Sequence, residues 1–222
     1  MKESGEFLLL KDTGERVIPE LMKPTNGLLL EHLARYSFST PYIHGRVLDI
    51  ACGSGYGTHM MAKSCKKENV SIVGVDIDPE TIEYAIKKYH HQKVEFKTAD
   101  CTDPELPTQL GYFDTILCFE TIEHVQEDGL LLRNLYNMLK PGGTLVISTP
   151  FGKGRGEPCG SIFHIHQYTK QEFIEMFQEY TEAEFFFQRG VAIELGIKKP
   201  NGEVAYPRKN IRYPFGIAVC TK

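Results

Sequence analysis

The sequence predicts an α/β fold, a doubly wound and mostly parallel sheet with helices on both faces. Between residues 46 and 150, apolar segments typical of buried strands alternate with amphipathic segments typical of helices. The first apolar run, 47–50, leads into a glycine turn at 53–57 and then into a helical stretch. The next apolar run ends in Asp76, about 20 residues after Gly55.

This strand–turn–helix–strand unit has the residue types that bind an adenosine-containing cofactor. Glycines let the loop turn sharply beside a ligand, and the helix N-terminus offers unpaired N–H groups. A carboxylate at Asp76 can accept hydrogen bonds from both ribose hydroxyls. Nicotinamide enzymes also use such a loop. Here, however, Gly57 comes one residue too early for the dinucleotide fingerprint, and Asp49 lies inside the preceding strand.

Composition limits the classes of protein. A chain of 222 residues, 41% of them hydrophobic, can bury one sizeable core. The formal net charge of −4 argues against bulk attraction to nucleic acid. No apolar run approaches the roughly 18 residues of a membrane span, and the start lacks the apolar core of a signal peptide. The six cysteines form no CxxC pair, which indicates reduced thiols in a cytoplasmic protein.

The first 45 residues predict an arm and a helix. Glycine and proline interrupt residues 1–24, and Pro24-Thr25-Asn26 is a start signal for a helix over 28–38. Glu31 and Arg35 in this helix have i,i+4 spacing. One interpretation is a solvated ion pair beside a packed aromatic residue. The other is a lid helix, in which Tyr36, or Arg16 from the arm, reaches the amino-acid end of the cofactor.

The remaining segments continue the alternation. Asp78 and Pro79 begin a helix that extends to about residue 89, since they suit the N-cap and the first turn. Thr169 and Glu172 form a capping box that begins a helix to about residue 180. Further strands are expected at 94–96, 113–119, 144–148, 183–188 and 215–221, and a helix at 130–139. We expect 190–213 to be a polar excursion and the last strand to pair antiparallel at the sheet edge.

Five segments together resemble a known family. VLDIACGSGYGT, GVDIDP, ADCTD, FDTILCFETIEHV and LKPGGTLVIST match, in order and spacing, the motifs of class I S-adenosylmethionine-dependent methyltransferases over 46–149. The resemblance implies a Rossmann-like sheet of seven strands with the last one antiparallel. It also implies one domain over 1–222, with an arm and lid helix at 1–45, a cofactor-binding core at 46–150 and acceptor-side loops at 151–222. The implied cofactor is S-adenosylmethionine, with S-adenosylhomocysteine as product.

The resemblance also implies a role for each motif. The glycine loop would line the methionine part of the cofactor, Asp76 would bind the ribose hydroxyls, and Asp100 would accept from the adenine amino group. The alternative for each acid is a cap or a surface charge; both acids end predicted strands, where ligands bind in open α/β sheets. The implied contact residues are Asp49, Ala51, Gly53 and Gly55 in the loop, Ile77, Asp100 and Cys101 around the adenine, and Cys118 and Glu120 below the methionine.

The acceptor is indicated by the ends of the chain. TGERVIPE, EHLARY and FHIHQYT resemble a subgroup that occurs beside glycosyltransferases and cell-envelope polysaccharide enzymes. This resemblance implies a small-molecule or glycan acceptor, methylated on a sugar hydroxyl or on an amine of an amino sugar. Methylation of a base amino group is disfavoured, because no NPPY or DPPY motif follows the fourth strand. The alternatives are an RNA methyltransferase that uses 198–212 as a clamp, and a cofactor-binding protein without catalysis. A homodimer is compatible with the sequence.

Three histidines are candidates for the general base. A sugar hydroxyl is a poor nucleophile, and histidine accepts protons near neutral pH. His124 lies four residues after Glu120, and His164 and His166 would point to the same side of an extended segment. Each could instead be a hydrogen-bonded structural residue. The pair could also help to bind a metal, but magnesium prefers oxygen ligands, and no metal is predicted.

Overall fold

The computed structural model describes residues 10, 13–66 and 69–222. The helices are α1 (Gly27–Ser39), α2 (Tyr56–Ser64), α3 (Pro79–Lys88), α4 (Leu106–Leu110), α5 (Asp128–Met138) and α6 (Lys170–Glu175). The strands are β1 (Arg46–Ile50), β2 (Ser71–Asp76), β3 (Val94–Thr98), β4 (Phe113–Phe119), β5 (Leu139–Pro150), β6 (Glu182–Arg189), β7 (Ala192–Leu195), β8 (Ile197–Lys198), β9 (Val204–Ala205) and β10 (Phe215–Thr221).

The main sheet has eight strands in the order β3-β2-β1-β4-β5-β10-β6-β7. β1 pairs in parallel with β2 and β4, and the parallel pairing continues to β3 on one side and β5 on the other. The strand order reverses between β1 and β4, which is the switch point at which open α/β sheets bind ligands. β10 is antiparallel to both of its neighbours. The predicted Rossmann-like sheet with an antiparallel last strand is therefore confirmed.

Two details of the sheet correct the prediction. The last strand lies between β5 and β6 and not at the edge, and residues 216–220 are all buried. The eighth strand, β7, comes from the predicted polar excursion and pairs with β6. The same excursion forms the small hairpin of β8 and β9. A strand covered on both faces and paired on both edges is apolar throughout, and that pattern explains the interior position of β10.

The hydrophobic core has two layers, one on each face of the sheet. Alternate strand residues such as Leu48 and Ile116 pack with α4, α5 and α6. The residues between them, such as Val47 and Leu117, pack with α1, α2 and α3. Successive side chains of a strand point to opposite faces, so each central strand contributes to both layers. The carboxyl ends of β1, β2 and β4 are left at one rim of the sheet.

Local signals place most helix starts as predicted, while some ends differ. Asn26 and Asp78 cap α1 and α3, and Thr169 with Glu172 forms the capping box of α6. α6 ends at Glu175, five residues before the expected end, and β5 begins at Leu139, five residues before the strand expected at 144–148. α4 was not predicted.

The predicted N-terminal arm is described in part. Its residues 1–9 and 11–12 lie outside the described part of the chain. The segment before α1 lies over the glycine loop, because Ser54 donates from Oγ to the carbonyl of Val17 at 2.8 Å. Among residues 10, 13–66 and 69–222, no helix combines the length and the apolar character needed to cross a bilayer.

Candidate active site

The glycine loop leaves β1 through a run of left-handed backbone. Ala51, Gly53 and Gly55 all have positive φ, of 55°, 55° and 84°. A side chain at Gly55 would meet Ala85 of α3 at 2.7 Å, so the glycine also permits close packing. At the start of α2, a Cβ on Gly57 would lie 2.0 Å from the Tyr36 ring. Glycine at these positions therefore lets α1 and α3 close tightly around the loop.

Asp76 ties this loop to the end of β2. Its Oδ2 accepts the N–H of Gly53 at 2.9 Å, and its Oδ1 accepts the N–H of Asp78 at 3.1 Å. Each carboxylate oxygen has two lone pairs, so both oxygens can accept a further hydrogen bond. Asp76 is partly exposed and lines the cleft. It can hold the loop and a ligand at the same time.

Two adjoining cavities form one cleft at the carboxyl ends of the strands. Their volumes are about 310 Å³ and about 240 Å³. Both are lined by Ala51, Asp76, Glu120 and His124, so these residues mark the junction. The cleft lies at the switch point between β1 and β4, where the fold places ligands.

The arm and α1 cover the larger cavity. Arg16 and Tyr36, the two residues named in the lid interpretation, line it. The Arg16 guanidinium donates to Asp78 Oδ2 at 2.9 Å, which fastens the arm to the start of α3. Tyr56 also lines this cavity, and its buried hydroxyl has no hydrogen-bond partner among the described residues. Few buried hydroxyls lack a partner in native proteins, so Tyr56 is a candidate polar contact in the wall of this cavity.

The smaller cavity is an apolar slot with a polar edge. Ile77 is 65% exposed although it is aliphatic, and it lines this cavity together with Asp100 and Cys101. The Oδ1 atom of Asp100 accepts both the N–H and the hydroxyl of Thr102. Burial raises the pKa of the Cys101 thiol to about 12, so the thiol is neutral at physiological pH. A flat aromatic ring fits a slot of this kind.

Three residues predicted to contact the cofactor lie behind the lining. Cys118 is fully buried, because alternation along β4 turns it into the layer covered by α4 to α6. Gly55 is buried against Ala85 and Phe96. Asp49 is 1% exposed and lines neither cavity. Phe119 and Glu120 line the cleft, and we had expected Cys118 to line it beside Glu120.

Asp49 supports the loop from below. It accepts hydrogen bonds from Thr58 Oγ1 at 2.6 Å and from the Tyr36 hydroxyl at 3.2 Å. Burial raises its pKa to about 7, since the charged form loses its hydration. These contacts connect β1, α2 and α1, so Asp49 positions Tyr36 in the cleft wall.

Glu120 follows the last residue of β4 and has a strained backbone conformation. Its φ is 47°, which is unusual for a residue with a side chain. Ser148 donates from Oγ to Glu120 Oε1 at 2.7 Å, and a guanidinium nitrogen of Arg35 lies 4.0 Å from Oε2. Arg35 is fully buried and donates to Gln188 at 2.8 Å. Strained residues cluster at functional sites, and here both Ala51 and Glu120 lie at the junction of the cavities.

The three candidate histidines occupy different surroundings. His124 lines both cavities, and its Nδ1–H donates to the carbonyl of Phe163 at 3.0 Å. The His164 ring packs edge-on against it, with centroids 4.9 Å apart, and burial together with His124 lowers the His164 pKa. His166 lines neither cavity, and its Nε2–H donates to the carbonyl of Gln126 at 3.2 Å. The fold thus joins His164 to His124 and turns His166 away.

Two acidic residues near these histidines were not predicted. Glu15, in the arm, lies 3.7 Å from Nε2 of His124 and 3.5 Å from Nε2 of His164. Glu123 is 1% exposed, accepts from Thr149 Oγ1 at 3.1 Å, and keeps a buried oxygen with no hydrogen-bond partner among the described residues. Burial and the nearby Glu120 raise its pKa well above the usual range. Both acids stand in quoted motifs, TGERVIPE and FETIEHV, and that was the available signal.

The chain is similar in sequence to known methyltransferases. A family model described as a methyltransferase domain matches residues 44–194. A probable S-adenosylmethionine-dependent methyltransferase of Mycolicibacterium smegmatis is 29% identical over 171 residues, which are 75% of this chain and 63% of that protein. Phosphoethanolamine N-methyltransferase 3 of Arabidopsis thaliana is 39% identical over 105 residues, 46% of this chain and 20% of that protein.

The fold is also similar to that of solved structures. A SAM-dependent methyltransferase from Archaeoglobus fulgidus superposes with a TM-score of 0.61 at 17% sequence identity. The match covers 89% of this chain and 95% of that one. This similarity shows the fold. The chain spans less than two thirds of the length of either relative found by sequence.

Proposed function

The chain belongs to the methyltransferase-domain family, and on that premise we propose that it transfers the methyl group of S-adenosylmethionine to a hydroxyl group of a sugar, nucleotide sugar or glycan. One observation carries the acceptor. The three segments that resemble the polysaccharide-associated subgroup meet at one cleft. The first contributes Glu15 and Arg16, and the second contributes His32 and Tyr36. From the third segment, His164 lies beside His124 and Glu15. Segments far apart in sequence that converge at the cofactor cleft are suited to recognise the acceptor.

The residues of the cleft fit the cofactor. Asp76 would accept from the ribose hydroxyls, Ile77 would pack on the adenine, and Asp100 would accept from the adenine amino group. The larger cavity would hold the amino-acid end beside Arg16 and Tyr36, with the unpaired Tyr56 hydroxyl as a further polar partner. The cofactor supplies an electrophilic methyl group on a positively charged sulfur. The arm and α1, within 1–45, would close over it, and 151–222 would build the acceptor side.

The protein must then align and activate the acceptor. The acceptor oxygen attacks the methyl carbon, the carbon–sulfur bond breaks with its electron pair left on sulfur, and the oxygen loses its proton. Of the three histidines, His124 lies at the junction of the cavities. Because its Nδ1–H is used by the Phe163 carbonyl, its Nε2 presents a lone pair. Nε2 can accept the proton, or it can hold a cation that lowers the pKa of the hydroxyl, whose proton then passes to water.

An amine is the second candidate acceptor, because the Arabidopsis relative is named as a phosphoethanolamine N-methyltransferase. The test is transfer of a labelled methyl group to a panel of free sugars, nucleotide sugars and amino sugars. We expect label on a hydroxyl, detected by mass spectrometry of the product. Label on nitrogen would favour the amine. Binding of S-adenosylhomocysteine without transfer to any member of the panel would favour a cofactor-binding protein without catalysis.

RNA is a weaker candidate, because two of the cations in the proposed clamp are paired. Lys199 contacts Glu203 at 2.9 Å, and Arg208 contacts Glu194 at 2.6 Å. Ion pairs within the excursion lower its attraction for phosphates. The check is RNA binding measured at two salt concentrations. Tight binding that weakens steeply with salt would favour an RNA acceptor.

A further inference from the structure

Three side chains from distant parts of the chain meet at the mouth of the cleft. Glu15 comes from the arm, His124 from the turn after β4, and His164 from the loop before α6. One potential ligand atom of each lies within 4.8 Å of the others. We propose that these three residues bind a divalent first-row transition metal ion whose open positions take oxygen atoms of the acceptor. The proposal rests on the proposed function and specifies how His124 activates the acceptor.

The distances suit such an ion. Metal–nitrogen and metal–oxygen bonds of about 2.1 Å place neighbouring ligand atoms about 3.0 Å apart in an octahedral site and about 3.4 Å apart in a tetrahedral one. Glu15 Oε1 lies 3.5 Å from His164 Nε2, and Glu15 Oε2 lies 3.7 Å from His124 Nε2. Each separation exceeds the tetrahedral value by only a few tenths of an ångström or less, and the two contacts use different oxygens of the Glu15 carboxylate.

The hydrogen bonds around the cluster prepare His124 as a ligand. A carbonyl can only accept, so the bond to Phe163 selects the neutral tautomer that carries its proton on Nδ1 and has its Nε2 lone pair towards the cluster. Metal-bound histidines commonly donate their other ring N–H in this way. Ser161 donates from Oγ to Glu15 Oε1 at 3.1 Å and steadies the carboxylate. A buried oxygen of Glu123 with no described hydrogen-bond partner lies 3.8 Å from His124 Nε2, so a further oxygen atom stands beside the cluster.

The chemistry of the ligands selects the class of ion. Two imidazole nitrogens and one carboxylate oxygen suit manganese, iron, cobalt, nickel or zinc, whereas magnesium and calcium prefer all-oxygen sites. Three protein ligands leave coordination positions open, as in catalytic sites. A bound ion would orient an acceptor oxygen and lower the pKa of its hydroxyl. His166 takes no part, because its Nε2–H is bonded to Gln126.

The test is a titration of the full chain, without a histidine tag, with Mn²⁺. Binding is measured as the loss of the electron paramagnetic resonance signal of free Mn²⁺, and competition by Zn²⁺ checks that the site is shared. The variants are Glu15→Gln and His164→Ala. His166→Ala is the matched control from the same loop, and His90→Ala controls for loss of an exposed imidazole remote from the cleft. We expect one site per chain. Each ligand variant should weaken it at least about tenfold, since loss of an outer-shell partner alone costs roughly 10- to 100-fold.

Three results would overturn the inference: no saturable Mn²⁺ or Zn²⁺ binding, binding unchanged in both ligand variants, or a His166→Ala effect as large as that of His164→Ala. Glu15→Gln keeps the test open if His164→Ala fails to fold. Calorimetry with S-adenosylhomocysteine on the same samples separates the two proposals. Intact cofactor-product binding without metal binding removes the metal site alone, whereas absent product binding in the unaltered chain removes the proposed function.

Discussion

Replacement of Asp76 by alanine tests the ribose contact. The carboxylate already accepts N–H groups of Gly53 and Asp78, and its remaining lone pairs would accept the two ribose hydroxyls. Hydrogen bonds to charged groups contribute about 1.5–3 kcal/mol each, so the loss of two costs about 3 kcal/mol or more. We therefore expect the Kd for S-adenosylhomocysteine, measured by calorimetry, to rise by roughly 100-fold or more.

The loop contact of Asp76 must be separated from the ribose contact. The same titrations with an analogue that lacks the ribose hydroxyls complete a double-mutant cycle. The unaltered chain should bind this analogue much more weakly than S-adenosylhomocysteine, whereas Asp76→Ala should bind both about equally. Asp103→Ala, a loss of charge on a loop outside both cavities, is the control. An unchanged Kd in a folded Asp76→Ala variant would refute the assignment, as would an equal penalty for the analogue in both chains.

Three further predictions concern the support and the chemistry of the cleft. Gly57→Ala should destabilise the protein by about 1–3 kcal/mol in urea unfolding, because the new Cβ would overlap the Tyr36 ring. A Cβ at Gly129 would meet open space, so Gly129→Ala should not destabilise the protein in this way. Equal effects of the two substitutions would contradict this packing. The raised pKa of Asp49 means that the folded state binds more protons than the unfolded state between pH about 4 and about 7. The free energy of unfolding should therefore fall by up to roughly 4 kcal/mol as the pH rises from about 4 to about 7. Asp49→Asn should flatten this pH dependence, and the same slope in the variant would be contrary evidence. His124→Gln should slow transfer to a hydroxyl by roughly 10²- to 10⁴-fold while product binding persists, and an unchanged rate would favour an amine acceptor.

The central fold could be predicted because its signals are local. Caps at Asp78 and Thr169 and the apolar run before the glycine loop each depend on neighbouring residues. Strand order depends on contacts between segments far apart in the chain, and the predicted edge position of β10 was wrong for that reason. Its unbroken burial at 216–220 is the signal of an interior strand, whereas β7 has the mixed exposure of an edge.

The candidate site divides in the same way. The lining positions of Asp76, Ile77 and Asp100 follow from strand ends, because parallel strands bring their carboxyl ends to one rim. The burial of Cys118 behind the cleft could not be predicted, because a motif does not reveal which face of the sheet a side chain takes. Nor could the approach of Glu15 to His124 and His164 be foreseen, since it requires the arm, the turn after β4 and the loop before α6 to be placed together.

A crystal structure of the chain with S-adenosylhomocysteine would show directly whether the cleft binds the cofactor as proposed. We expect both ribose hydroxyls within hydrogen-bond distance of Asp76, the adenine on Ile77 beside Asp100, and the sulfur at the junction of the cavities near Glu120 and His124. Product bound elsewhere, or with its ribose turned away from Asp76, would contradict the proposal.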